Sequence, residues 1–345
     1  RPKSSAASDV YKRQTLMSHQ QRPHLVVTNY VQEEVIDFLS EFARVTANRS
    51  REPWSRPALL EAAADADGLL MFMPDCVDAD FLDHCPRLGS IAGALRGFDN
   101  FDLSACDARG IRYQFIPNLL AAPTAELTVA MLISLARSIP AGDAFMRTGQ
   151  FPGWRPNFYS KGVINSTVGI VGMGQLGIEF AERMRGFGAT LLYSDPIRLD
   201  RQSEQRLELQ HVEFNDVIER SDHLVLMVPL TNDTLHLINA DVLARCKPGA
   251  VLVNPCRGSV VDEQAVVRAL QSGQLGGYGA DVFEMEDWAR EDHPSSIPQG
   301  LLDQRDRTVL TPHIGSAVQS IREDIAMTAA RNLKALVEST LTPIR

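Results

Sequence analysis

The chain has 345 residues, enough for two domains of ordinary size, each able to bury its own core. Its 44% hydrophobic and 22% charged content is that of a soluble globular protein and excludes disordered and fibrous classes. With 34 Lys and Arg against 43 Asp and Glu the formal charge is −9, which excludes general attraction to nucleic acid; an anionic ligand must be held by a local cluster of cations. Residues 1–16 are polar, aperiodic and lack a signal-length apolar stretch, so they read as a non-native or unstructured leader ahead of Met17. From Pro23 onward, short β-branched runs alternate with helical patterns. Residues 24–28 are strand-like, and residues 33–42 carry Val35, Ile36, Leu39 and Phe42 at helical spacing. Residues 68–73 and 89–94 are two further strands, each closed by a turn signal. This alternation predicts a parallel sheet with helices on its faces. Residues 117–123 break the pattern, and a long apolar helix follows, with Pro123 in its first turn and Glu126 near its positive end. Its apolar run, 127–136, is half a membrane span and predicts a buried helix rather than a membrane segment.

A loop rich in Gly, Pro and aromatics (148–159) leads into the clearest unit of the sequence. A strand at 168–171 runs into Gly172-Met173-Gly174-Gln175-Leu176-Gly177, then a helix at 178–187, then a strand at 189–193 that ends near Asp195. Glycines at that spacing allow a tight turn and let backbone amides approach a pyrophosphate at the helix N-terminus. Asp195 is placed to accept hydrogen bonds from the adenosine ribose hydroxyls and to repel a 2′-phosphate, which predicts NAD rather than NADP. Arg198 stands close enough to weaken that preference. Four more strands are expected at 224–228, 251–254, 279–282 and 308–310. Ligands of open α/β sheets bind beyond the carboxyl ends of the strands. The residues to examine are therefore Pro229, Cys256-Arg257-Gly258, Asp281, Glu286 and His313. Five cysteines without a CxxC pair point to reduced thiols and a cytoplasmic protein, and the histidines have no metal-ligand spacing.

The glycine loop, the segment NPCRGSVVDE (254–263) and the segment TPHIGSA (311–317) resemble the D-isomer-specific 2-hydroxyacid dehydrogenase family over residues 24–336. The spacing of Arg257 and Glu286 is also that of the family. Within it, FMPDCVDADFL (72–82), GALRGFDNFD (93–102), FPGWRPNFY (151–159) and ADVFEMEDWAR (280–290) are most similar to phosphite dehydrogenases. Asp287 stands where ordinary members have Pro, and Arg96 where phosphite dehydrogenases have Lys. The resemblance implies an α/β protein with two parts. A Rossmann-type NAD domain (119–315) would be joined to a smaller flavodoxin-like substrate domain built from both chain ends (17–118 and 316–345), with hinges near Asn118 and Ser316.

It implies Arg257 as the substrate-gripping cation, His313 as the base and Glu286 as its orienting acid, an arrangement with the logic of a protease triad. It implies Met73, Arg96, Gly97, Trp154 and Arg322 around the substrate. The NAD contacts would come from Thr124, Gly172, Gly174, Gln175, Leu176, Gly177, Asp195, Pro196, Pro229, Thr234, Pro255, Cys256, Asp281, His313 and Gly315. Three arginines around one pocket suit a compact oxyanion, so NAD-dependent oxidation of phosphite to phosphate is the expected activity. The alternatives are a D-2-hydroxyacid dehydrogenase or glyoxylate/hydroxypyruvate reductase, and a non-catalytic NAD-sensing protein. Bland readings also stand beside these residues: Arg257 as a surface ion pair, Arg96 as a cation holding the 98–102 turn, Arg322 paired with Glu323, and Cys256 as a small buried residue. A homodimer through the helix after Pro123 and the loop before Thr167 is the expected assembly.

Overall fold

The computed structural model describes residues 22–287 and 289–341, so the leader at 1–16 lies outside the described residues. The chain forms two units. One holds the chain up to Leu95, Phe101–Ile116, and the chain from Glu323; the other holds Arg96–Asn100 and Pro117–Arg322.

The first unit alternates β1 (His24–Val27), α1 (Glu33–Ser40), β2 (Arg44–Ala47), α2 (Arg56–Ala63), β3 (Gly68–Met71), α3 (Ala79–Asp83), β4 (Ser90–Gly93), α4 (Leu103–Ala108) and β5 (Arg112–Phe115). Its five strands are parallel in the order β2-β1-β3-β4-β5, the flavodoxin-like order. The three inner strands are buried at every residue, because helices cover both faces of such a sheet, and they read as continuous apolar runs. The short helices start on side-chain caps: Asp78 accepts from Phe81 N and Asp102 from Ala105 N.

The second unit opens with α5 (Ala121–Ala136) and α6 (Ile139–Arg147), followed by β6 (Thr167–Val171), α7 (Gln175–Met184), β7 (Thr190–Ser194), α8 (Arg201–Leu207) and β8 (Leu209–His211). Then come α9 (Phe214–Arg220), β9 (His223–Leu226), α10 (Ala240–Arg245), β10 (Ala250–Asn254), α11 (Glu263–Ser272), β11 (Leu275–Ala280), α12 (Gln299–Leu302) and β12 (Thr308–Leu310). A last helix, α13 (Gln319–Leu341), starts in this unit and from Glu323 belongs to the first, where Leu333 and Val337 lie against Gly68 of β3. The seven strands of the second unit are parallel in the order β12-β11-β10-β9-β6-β7-β8. Chain order reverses between β6 and β9, which is the switch point where doubly wound sheets hold dinucleotides.

Two expectations are corrected. The strand expected at 279–282 is β11, Leu275–Ala280, and Val282 lies beyond its end. Its glycines let the strand pass close to its neighbours. A Cβ on Gly276 would lie 2.5 Å from Gly249 O, and one on Gly279 would lie 3.2 Å from Leu135 of α5. The helix expected at 178–187 begins at Gln175, immediately after the glycine loop, and ends in a 3-10 turn over Arg185–Phe187. Helix α5 is buried through Ala125, Met131, Leu132 and Leu135, in one core with Val168, Ile170, Phe180 and Tyr193. No single helix among the described residues is long and apolar enough to cross a membrane.

Candidate active site

At the switch point the chain leaves β6 through Gly172, whose φ of 93° is open to glycine and costly for any other residue. A Cβ there would also lie 2.5 Å from Met227 O at the end of β9. Gly177 packs one turn of α7 onto the loop, since its Cβ would come 2.7 Å from Gly172 O. Gly174, between them, caps α7 and faces open space, so a phosphate can reach the amides of Gln175 and Leu176 at the helix N-terminus. Asp195, one residue past β7, accepts Met173 N at 2.6 Å on one oxygen and Ile197 N at 2.8 Å on the other. A carboxylate has about four lone-pair sites, so two ribose hydroxyls can still be accepted. These residues fit a dinucleotide. Pro196 follows Asp195 on the exposed rim. Thr234 shapes the neighbouring turn after β9, donating to Pro229 O at 2.6 Å and accepting Thr231 N at 2.8 Å.

Strands β10, β11 and β12 lie side by side, and each delivers one functional side chain beyond its end. After β10, the Asn254 amide grips its own turn, donating to Arg257 O at 2.8 Å and accepting Cys256 N at 3.1 Å around buried Pro255. Arg257 is directed by Asp99, whose oxygens receive Nε at 3.0 and 3.1 Å and Nη2 at 2.9 Å. Desolvation pulls the guanidinium down, but the Asp99 charge and hydrogen bonds more than offset it and hold it above the ordinary arginine value. Gly97 makes room for this arrangement, because a Cβ there would overlap the guanidinium at 1.8 Å from Nη2. The reading of Arg257 as a surface ion pair is corrected: it is paired, with Asp99, but the pair is largely buried.

After β11 and β12, the Asp281 carboxylate accepts Thr311 Oγ1 at 2.6 Å, Ile314 N at 2.8 Å and Gly315 N at 2.7 Å, while its carbonyl accepts His313 N at 2.8 Å. Burial raises its pKa despite these donors. The turn puts His313 in the left-handed region, φ 55°, and presents Nδ1 to Glu286 Oε2 at 2.8 Å. The other oxygen of Glu286 caps its own 3-10 turn, accepting Phe283 N at 2.8 Å, so the acid is fixed at both ends. Gly315 is pressed between Asp281 and Thr124 of α5, where a Cβ would lie 3.0 Å from each. The expected residues Thr124, Asp281, His313 and Gly315 therefore meet in one place.

Cys256 is a half-buried thiol that donates to Leu226 O at 3.0 Å, and burial pushes its pKa up to about 12, so it is no nucleophile at neutral pH. Arg96 is an exposed cation whose charge reaches this thiol. Arg322 donates to Ser316 Oγ at 3.4 Å, just past the His313 turn, and desolvation lowers its pKa. Met73 lies in the first unit, two residues past β3. Trp154 is 76% exposed in the loop between α6 and β6.

Sequence reasoning missed the residues that lock the loops together. Asp99 acts on Arg257 across 158 positions. Asp287, with a carboxyl raised by burial, accepts Ser259 N at 2.7 Å and ties the loop after β10 to that after β11. Glu263 and Glu284 clasp each other's backbone amides at 2.9 and 3.1 Å, and Glu284 also holds His236 and Arg290. Gly258 permits this contact, because its Cβ would fall 1.9 Å from Phe283 C.

The family model for the D-isomer specific 2-hydroxyacid dehydrogenase NAD-binding domain matches residues 129–315. Over 327 residues the chain is 35% identical to the glyoxylate reductase of Thermococcus litoralis, covering 93% of this chain and 96% of that one. Among solved structures it is similar to the TT0316 protein of Thermus thermophilus, with a TM-score of 0.81 and 33% identity over 92% of this chain and 97% of that one. It is also similar to the Aquifex aeolicus D-lactate dehydrogenase complexed with NAD and lactic acid, with a TM-score of 0.80 and 26% identity over 92% and 96% of the two chains. The protein is an NAD-dependent oxidoreductase. It belongs to the D-isomer-specific 2-hydroxyacid dehydrogenase family.

The Glu263–Glu284 clasp has a pH signature. Burial, with the charges of Glu284 and Asp287 nearby, pushes Glu263 up to about 7, and its Oε2 has no partner among the described residues. A raised carboxyl pKa means that the folded state favours the protonated form, so this contribution is complete below about 4.5 and is lost as pH rises through about 7. Glu263→Gln, which mimics the protonated acid, should therefore gain on the wild type by about 3 kcal/mol between pH 5 and pH 8 in urea unfolding. A difference independent of pH would contradict the assignment.

Proposed function

We propose that the protein interconverts a small 2-oxo acid and its 2-hydroxy acid with NAD(H), and that glyoxylate is the substrate to test first. The observation that carries this reading is the His313–Glu286 hydrogen bond beside a directed Arg257, on adjacent strand ends of the sheet that bears the dinucleotide cradle. NAD, when bound, exchanges hydride with the substrate carbon. Arg257 holds the substrate carboxylate, each charge-assisted bond contributing about 1.5–3 kcal/mol. Because Glu286 occupies Nδ1, the imidazole meets the substrate through Nε2. In reduction Nε2–H protonates the carbonyl oxygen, and in oxidation Nε2 takes the hydroxyl proton, while Glu286 stabilises the imidazolium. The glyoxylate reductase and D-lactate dehydrogenase names among similar proteins support this substrate class over phosphite.

Phosphite oxidation is the second reading, and one observation favours it. The charge of Arg96 is felt at Cys256, next to Arg257, and Arg322 donates to Ser316 Oγ at 3.4 Å, three residues past His313, so each catalytic segment has a second arginine near it. In that reaction His313 would activate water instead of a hydroxyl group. Asp287 does not discriminate, since its bond to Ser259 N serves either substrate.

The assembly we propose is a cytoplasmic homodimer. Helix α6 and the loop to β6 expose Ile139, Met146, Phe151, Trp154, Phe158 and Tyr159, an apolar face of the kind a second copy covers. Light scattering should then give twice the chain mass, and Phe151→Asp should halve it; a monomeric wild type would remove the dimer.

NADH absorbance tests the activity. Glyoxylate or hydroxypyruvate should consume NADH, and His313→Asn should lower kcat by ~10²–10⁴-fold while NADH binding is retained. NADH production from NAD and phosphite, without turnover of either 2-oxo acid, would overturn the reading in favour of the second.

A further inference from the structure

A cation beside the ribose-binding acid is what ordinarily admits a 2′-phosphate, and Arg198, three residues past Asp195, is such a cation by position. The structure commits it elsewhere. Its Nε and Nη2 donate to Glu204 Oε1 and Oε2 at 2.8 and 2.9 Å, a two-pronged match of guanidinium to carboxylate. Glu204 lies on α8, is 8% exposed, and is itself held. Its Oε1 also accepts the hydroxyl of Tyr193 at 2.7 Å. Tyr193 is fully buried in β7, and its oxygen in turn accepts Leu199 N at 3.0 Å. The bonds from Arg198 and Tyr193 hold the Glu204 carboxyl down to about 2, so it stays ionised wherever the protein works. Asp195 takes no part in this chain, because its oxygens receive the amides of Met173 and Ile197.

We propose that Glu204, tethered by Tyr193, is a specificity-determining residue for NAD over NADP: it captures and neutralises Arg198, leaving Asp195 to meet a 2′-phosphate without a compensating guanidinium. Specificity of this kind is a difference between two affinities, and removing the captor should change that difference more than either structure or NAD binding. A paired Arg198 can pass to a 2′-phosphate only by breaking two charge-assisted bonds and leaving a buried carboxylate behind. An unpaired one can swing to the phosphate at no such cost. The effect should therefore appear in NADPH affinity and depend on Arg198 itself.

The test is the pair of dissociation constants for NADH and NADPH, read by nucleotide fluorescence on the full chain. Glu204→Gln keeps the size of the side chain and an oxygen for the tyrosine hydroxyl. It should lower the NADPH/NADH ratio of constants by about tenfold, chiefly through tighter NADPH. Adding Arg198→Ala should restore the wild-type ratio, and Arg198→Ala alone should not improve NADPH binding. A folded Glu204→Gln protein with the wild-type ratio would overturn the proposal, as would a lowered ratio that persists in the double variant. If Glu204→Gln does not fold, Tyr193→Phe, which removes one tether of Glu204, should move the ratio in the same direction by a smaller factor; no movement would again overturn it.

Discussion

One buried carboxylate, Asp281, holds the site in register. It sits where β11 ends beside the edge strand β12, and it gathers a side-chain hydroxyl and two backbone amides from the chain segment after β12. Without that capture the segment would have little reason to turn as it does. His313 occupies the left-handed region, which costs a residue with a Cβ about 1–2 kcal/mol, and such a conformation persists only where its surroundings over-determine it. Asp281 supplies that determination on one side and Glu286 on the other. The imidazole is thus aimed by bonds made before any ligand arrives, which is the preorganisation that proton transfer requires. Thr124, from α5, closes the same turn against Gly315, so the packing of the long core helix reaches the chemistry directly.

Around this turn the chain gathers acids in a way its charge alone does not explain. Asp99, Glu263, Glu284, Glu286 and Asp287 all serve the loops after β10 and β11. Each is partnered by a cation or by backbone amides. Burial would otherwise be prohibitive, since an isolated carboxylate in a low-dielectric interior protonates instead. The arrangement gives Arg257 a fixed plane and the Glu286 turn a fixed base. A local cation therefore survives inside a protein whose surface is acidic, as an anionic substrate requires.

Much of this was legible in the sequence. The glycine loop, its flanking strands and Asp195 could be read because glycine spacing, an apolar run and an acid at the right distance obey one geometric rule. Apart from β11, the inner strands of both sheets could be read because burial on two faces makes them largely apolar runs. Strands β2, β5 and β8 were not read: they lie at sheet edges, are three or four residues long, and apart from Leu209 hold only half-buried or exposed residues, so no apolar run marks them. Strand β11 was misplaced because its glycines, which signal a turn in isolation, are there to pass beneath Leu135 and Met131. Arg257, Glu286 and His313 were found from their places beyond strand ends together with the family resemblance. Asp99 and the Glu263–Glu284 clasp were not, because nothing in local pattern links residues so far apart. The substrate was the least legible feature, since the same three side chains serve a carboxylate or a phosphorus oxyanion.

The most direct test of the organising role of Asp281 is a double-mutant cycle in kcat between Asp281→Ala and His313→Asn. If Asp281 acts by aiming the imidazole, its removal should cost nearly as much as losing the imidazole. The double variant should then be no slower than His313→Asn alone, as expected for residues that work as one unit. Losses that add on the logarithmic scale would contradict this and give Asp281 a role independent of His313.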